Sequence, residues 1–97
     1  MSTYQQHIIE HQRRAILDQL EAENDYTSNT ALLRQILKQL GHTLGSDKMQ
    51  TEAKWLEEQG LVELNAFGGI TVLKLTQRGL DVAEGASSIP GIARKGL

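Results

Sequence analysis

The sequence predicts a mainly helical domain with one small β-hairpin. Its parts, in order, are three packed helices, two short strands and a brief fourth helix. Two observations carry this. Apolar residues recur at helical spacing in three separate stretches before Gly60. Two apolar runs, Leu61–Leu64 and Ile70–Leu75, then flank the turn Asn65-Ala66-Phe67-Gly68-Gly69.

The first helix is expected from about Tyr4 to Glu23, where Ile8, Ile9, Ile16, Leu17 and Leu20 form one face. The polar run from Glu23 to Asn29 breaks that pattern and supplies side-chain caps. A second helix, about Asn29 to Leu40, carries Leu33, Ile36, Leu37 and Leu40 at i, i+3, i+4 and i+7, and Gly41 stops it. The turn Gly41-His42-Thr43-Leu44-Gly45 follows, with Leu44 expected beneath it. Ser46 reads as the N-cap of a third helix, 46–59, and Asp47 favours its positive end. Met49, Ala53 and Leu56 share the face that should dock on the first two helices. Lys48, Gln50, Thr51 and Lys54 point elsewhere. Gly60 ends the helix, and Gly68-Gly69 suits the positive φ angles of a tight hairpin. Thr76 should cap the fourth helix, about Gln77 to Ala83. Residues 1–85 thus form the domain. Residues 86–97, containing Ile89-Pro90-Gly91-Ile92 and Arg94-Lys95, have no period and read as a flexible or partner-docked tail.

Ninety-seven residues suit one domain with a modest core. No apolar run approaches the 18 or so residues of a membrane span, and no secretory signal is visible at the start. With no cysteine, disulfides, thiolate metal sites and cysteine nucleophiles are excluded, and a cytoplasmic location is expected. The net charge of -2 is uneven. Residues 1–85 hold 8 Lys/Arg against 12 Asp/Glu, a balance of −4, whereas the tail holds Arg94 and Lys95 and no acid. Any basic surface must therefore be local.

Helix, glycine stop, hairpin and then Leu75-Thr76-x-x-Gly79 is the layout of a winged helix-turn-helix, with the third helix in the recognition position. The phrase Leu56-Glu57-Glu58-Gln59-Gly60-Leu61-Val62 resembles the junction between recognition helix and wing in ArsR-like and MarR-like regulators. The Leu75-Thr76-x-x-Gly79 segment is similar to the same families. The resemblance implies a DNA-binding regulatory fold. It departs from the metal-sensing ArsR pattern, because there is no cysteine and no long helix after the wing. It is also shorter than typical MarR proteins, which dimerise through extra terminal helices. The whole chain, with its Pro90-Gly91-containing basic tail, also resembles small proteins of Mu-like phages and prophages, which implies a bacterial cytoplasm during phage or prophage life.

A recognition helix needs long donors on its exposed flank to reach phosphates and base edges. Lys48, Gln50, Thr51 and Lys54 have that chemistry, and Lys74 and Arg78 flank the wing. Against this, Asp47, Glu52, Glu57 and Glu58 share the helix. The wing tip has no Arg or Lys, and Phe67 there is expected to fold back on the core or, failing that, to meet a partner. Trp55, the single tryptophan, is expected to cover the junction of third helix and wing or to lie in a dimer interface. His7-Ile8-Ile9-Glu10-His11 matches the letters of a zinc-protease motif, but catalytic zinc needs a third ligand and a cleft, so the chain is read as a non-enzyme. No cofactor, resident metal or small-molecule ligand is expected. The leading expectation is a small phage-derived regulator that binds double-stranded DNA, with a homodimer as the usual form of such readers. The alternative is a winged-helix interaction or assembly module that does not bind DNA.

Overall fold

The computed structural model describes residues 3–96; Met1, Ser2 and Leu97, the ends of the expected domain and tail, lie outside them. Four helices and a three-stranded antiparallel sheet follow in the order α1 (Thr3–Ala22), β1 (Thr27–Asn29), α2 (Thr30–Gln39), α3 (Ser46–Glu58), β2 (Val62–Phe67), β3 (Ile70–Leu75) and α4 (Gln77–Glu84).

The core forms where the helical faces were expected to meet. Ile16, Leu17 and Leu20 of α1, Leu33 and Leu37 of α2, and Met49, Ala53 and Leu56 of α3 are fully buried, and Leu44 closes the turn over them. Leu61, Val62, Leu73 and Leu75 add the sheet's inner face, and Val82 and Ala83 that of α4. Leu40 departs from the pattern and is exposed, because α2 ends at Gln39 and the chain then turns away.

The polar run before α2 does more than cap. Asn29 accepts a hydrogen bond from the Leu32 amide, as an N-cap should. Thr27, Ser28 and Asn29 also pair with Lys74, Leu73 and Val72, so β1 converts the expected hairpin into a sheet ordered β1-β3-β2. A single 3-10 turn, Asn24–Tyr26, leads into it. The N-cap of α3 is Gly45 and not Ser46, and no side chain caps it.

The two phrases that resemble regulator families interlock physically. At the end of α3 the Gly60 amide reaches the Glu57 carbonyl and the Leu61 amide reaches the Leu56 carbonyl, a Schellman cap that places Gly60 at φ +76. The Thr76 hydroxyl donates to the Gly60 carbonyl at 2.7 Å and accepts from the Gly79 amide at 3.0 Å. The Thr76 amide also donates to the Leu61 carbonyl at 3.0 Å. Thr76 is thus both N-cap of α4 and clasp on the α3 stop. Gly79 is required there because a Cβ would lie 2.0 Å from the Leu61 carbonyl oxygen. In the hairpin, Phe67 pairs with Ile70 across Gly68-Gly69, whose φ angles of 54 and 86 are those of a type I′ turn.

The tail does not hang free. Ile92 and Ala93 are buried, the Ala93 amide donates to the Glu10 carbonyl at 3.2 Å, and Lys95 Nζ donates to the Ala83 carbonyl at 3.1 Å. Its two isoleucines, Ile89 and Ile92, join the hydrophobic core. Ile92 and Ala93 find cover on the chain's own helices, and Ile89 packs against the same cluster.

Candidate nucleic-acid interface

The turn between α2 and α3 sets the geometry of the candidate surface. It is held by the Arg34 side chain, whose Nε donates to the Leu44 carbonyl at 3.1 Å. On α3, Met49, Ala53 and Leu56 face inward, which leaves Asp47, Gln50, Thr51 and Lys54 exposed on the opposite flank. Each expected contact residue has an intramolecular partner. The Thr51 hydroxyl donates to the Asp47 carbonyl one turn back, at 3.0 Å. Gln50 Oε1 accepts from the Thr71 hydroxyl at 3.3 Å, which links α3 to β3. Lys54 Nζ pairs with Glu57 at 2.8 Å. That hydrogen bond, with the charge of Glu57 behind it, holds the Lys54 ammonium above its ordinary pKa. Lys74 pairs with Asp25 at 3.4 Å, and Arg78 Nε donates to the Gln59 carbonyl at 2.9 Å. Exposed pairs of this kind are weak, on the order of 0–1 kcal/mol, and exchange readily for another anion.

Lys48 is different. Its Nζ lies 2.6 Å from Glu52 Oε2, while Arg13 Nε of α1 lies 2.5 Å from Glu52 Oε1. Glu52 is only 1% exposed. It is therefore not one of the surface acids opposing phosphate but a buried post holding α3 to α1. Arg13 also stacks on Trp55, 3.7 Å from the ring centroid, and donates to the Gly91 carbonyl at 3.0 Å. Trp55 sits three residues beyond Glu52 and shares its side of the helix. It consequently covers α1 and the tail, not the junction of α3 and the wing. A Cβ on Gly91 would come within 2.7 Å of its ring.

Phe67 does not fold back. It is 67% exposed, and Ile70 opposite it is 47% exposed. The last rung of the hairpin projects beyond the helices, so these two side chains have mainly each other for cover.

Two cations were missed. Arg34 and Lys38 of α2 line, with Ala31, Gln35, Thr43 and Leu44, a shallow hollow of about 340 Å³ beside the turn. The signal was present: no carboxylate lies between Asp25 and Asp47, so α2 and the turn carry Arg34, Lys38 and His42 unopposed. No group of three or more His, Cys, Asp or Glu positioned to hold a metal occurs among the described residues, His7, Glu10 and His11 included. No helix among them is long and apolar enough to cross a membrane.

Fold and surface together define a small mixed α/β module with a polar face on α2, the turn and α3 and an apolar hairpin tip. The chain is 32% identical over 87 residues to an uncharacterized protein, gp26, of Escherichia phage Mu, covering 90% of this chain and 91% of that one. It is 33% identical over 74 residues to an uncharacterized protein of Haemophilus influenzae, covering 75% of this chain and 72% of the other. The chain belongs to the family of the Mu gp26 protein. No family model and no solved structure matches it.

Proposed function

We propose that the chain is a winged-helix module of Mu-like phages and prophages that binds double-stranded DNA, with α3 lying toward the major groove and α2 across the phosphate backbone. The element order supports the winged-helix reading: helix, strand, two helices, then a hairpin whose second strand takes up the first strand in a sheet. The observation that carries the DNA reading is the run without acids from α2 through the turn, which brings Arg34, Lys38 and Thr43 to one hollow and leads into the exposed α3 flank with Gln50, Thr51 and Lys54 and the one acid Asp47. Arg and Lys there supply the phosphate attraction that dominates affinity, and Gln50 has the paired donor and acceptor that reads adenine. Lys74 and Arg78 are peripheral phosphate contacts in this arrangement. A homodimer, aligning two such faces on adjacent half-sites, is the expected working form.

The test is fluorescence anisotropy with a generic duplex across a salt series. Affinity should fall linearly on a log–log plot, with a slope of about −0.9 per phosphate neutralised. Lys54→Glu and Arg34→Ala should each weaken binding while leaving the far-UV circular dichroism unchanged. Salt-independent binding, or equal binding by both variants and parent, would overturn the proposal.

A second reading rests on Phe67 and Ile70. An uncharged wing tip with an exposed aromatic suits a protein partner better than a phosphate backbone. Under that reading, Phe67→Ser abolishes a partner contact and leaves DNA binding untouched.

A further inference from the structure

A second hollow on the molecule does not involve α3. It lies between the end of α4 and the tail, encloses about 360 Å³, and is lined by Arg14, Ser87, Ser88, Arg94 and Lys95 among apolar neighbours. No Asp or Glu side chain lines it among the described residues. The Arg14 side chain is 9% exposed, and its Nε has no hydrogen-bond partner among the described residues. The other end of its guanidinium is well used. Nη1 donates to the Val82 carbonyl at 2.8 Å, and Nη2 donates to the Ala83 carbonyl and pairs with Asp18 at 3.1 Å.

The charges do not cancel. Asp18 offsets one of three cations, and the carbonyl end of α4 contributes about half a negative charge. Among the described lining residues three are cationic and none acidic, in a concave site that also presents two hydroxyls. Arg14 Nε is closed off from solvent, so the guanidinium lends the hollow its charge rather than a hydrogen bond. From these observations we infer that the hollow is a binding site for a phosphate-type oxyanion. Arg94 and Lys95 meet its charge from the solvent side, Ser87 and Ser88 donate to its oxygens, and Arg14 forms the floor. The site shares no residue with α3, so it stands or falls apart from the DNA-binding face.

The experiment is an amide NMR titration with inorganic phosphate, chloride being adjusted to hold ionic strength constant. Saturable shifts are expected at residues 85–88 and 94–95. The double variant Arg94→Ser/Lys95→Ser, which also removes the Lys95 hydrogen bond to the Ala83 carbonyl, should weaken binding by about tenfold or more, and Arg94→Ser alone, which keeps that bond, should weaken it while preserving the chloride-state spectrum elsewhere. Non-saturating shifts, shifts spread over α2 and α3, or undiminished binding by the double variant would each overturn the inference. Adding duplex DNA to the parent separates the sources of phosphate. Movement of the same amides, reversed by free phosphate, identifies nucleic acid; unmoved amides with saturable phosphate shifts identify a small soluble phosphate compound.

Discussion

Replacing Glu52 by Ala should be among the most damaging single changes available on α3, although Glu52 is a charged residue in a helix of mixed charge. Both of its oxygens are engaged, one by Arg13 at 2.5 Å and the other by Lys48 at 2.6 Å, and the residue is almost wholly out of solvent. Removing one member of a buried ion pair costs about 3–5 kcal/mol, chiefly because the other charge is left without a partner. Here the stranded group is Arg13, whose side chain is 15% exposed and which keeps the Gly91 carbonyl and the Trp55 ring. Lys48 is more exposed and simply returns to water. The loss should therefore fall near the lower end, about 3 kcal/mol. For a domain of this size that corresponds to a fall of roughly 12–24 °C in Tm. Urea denaturation followed by circular dichroism and by the fluorescence of Trp55 reads both the stability and the stacking. Glu52→Gln keeps the shape and one acceptor, and should lose clearly less. A loss below about 1 kcal/mol for Glu52→Ala would mean that the pair is solvated and that the structural account of α3 is wrong.

Three further outcomes are expected. Gly79→Ala should destabilise by at least about 1–3 kcal/mol, since the new Cβ meets the Leu61 carbonyl at 2.0 Å; Gly→Ala at an open helical site would instead stabilise by about 1 kcal/mol, so the sign of the change in a thermal melt decides. Leu56→Ala should cost about 2–5 kcal/mol because the side chain is fully buried, and a negligible change in urea midpoint would mean the faces of α3 are misassigned. Thr76→Ala removes both the α4 cap and the clasp to Gly60, for a loss of about 1–2 kcal/mol; hydrogen exchange should quicken in α4 first, and uniform exchange across the domain would contradict that role.

What was legible in the sequence was local. The inward face of α3, the stop at Gly60, the hairpin glycines and the cap at Thr76 each follow from residues within one or two turns of each other. What was illegible depends on partners far along the chain. Thr27-Ser28-Asn29 has neither alternation nor apolar content, and becomes a strand only because β3 offers it an edge. Glu52 reads as a surface acid until Arg13, 39 positions away, is brought against it. Ile89 and Ile92 have no periodicity because the tail is irregular, yet the core they join is the chain's own. Phe67 was read by a general preference for covering aromatics, which fails where a hairpin outruns the helices beneath it.

The same long-range contacts change how the candidate surface should be weighed. By composition α3 holds two lysines against four acids, a balance of −2 that argues against phosphate contact. Glu52 is withdrawn into the interior and matched by Arg13 from another helix, so its charge does not act on the outer flank. The exposed balance of α3 is then −1, and Glu57 and Glu58, at its far end, supply two of those three remaining acids. Arg34 and Lys38 of α2 add two positive charges beside the turn, which brings α2, the turn and α3 together to +1. Arg34 and Lys38 thus lie beside the turn, where Asp47 is the one acid of α3, whereas Glu57 and Glu58 lie at its far end with Lys54. That distribution, rather than the net charge of the chain, is what a salt series on the proposed DNA binding will probe.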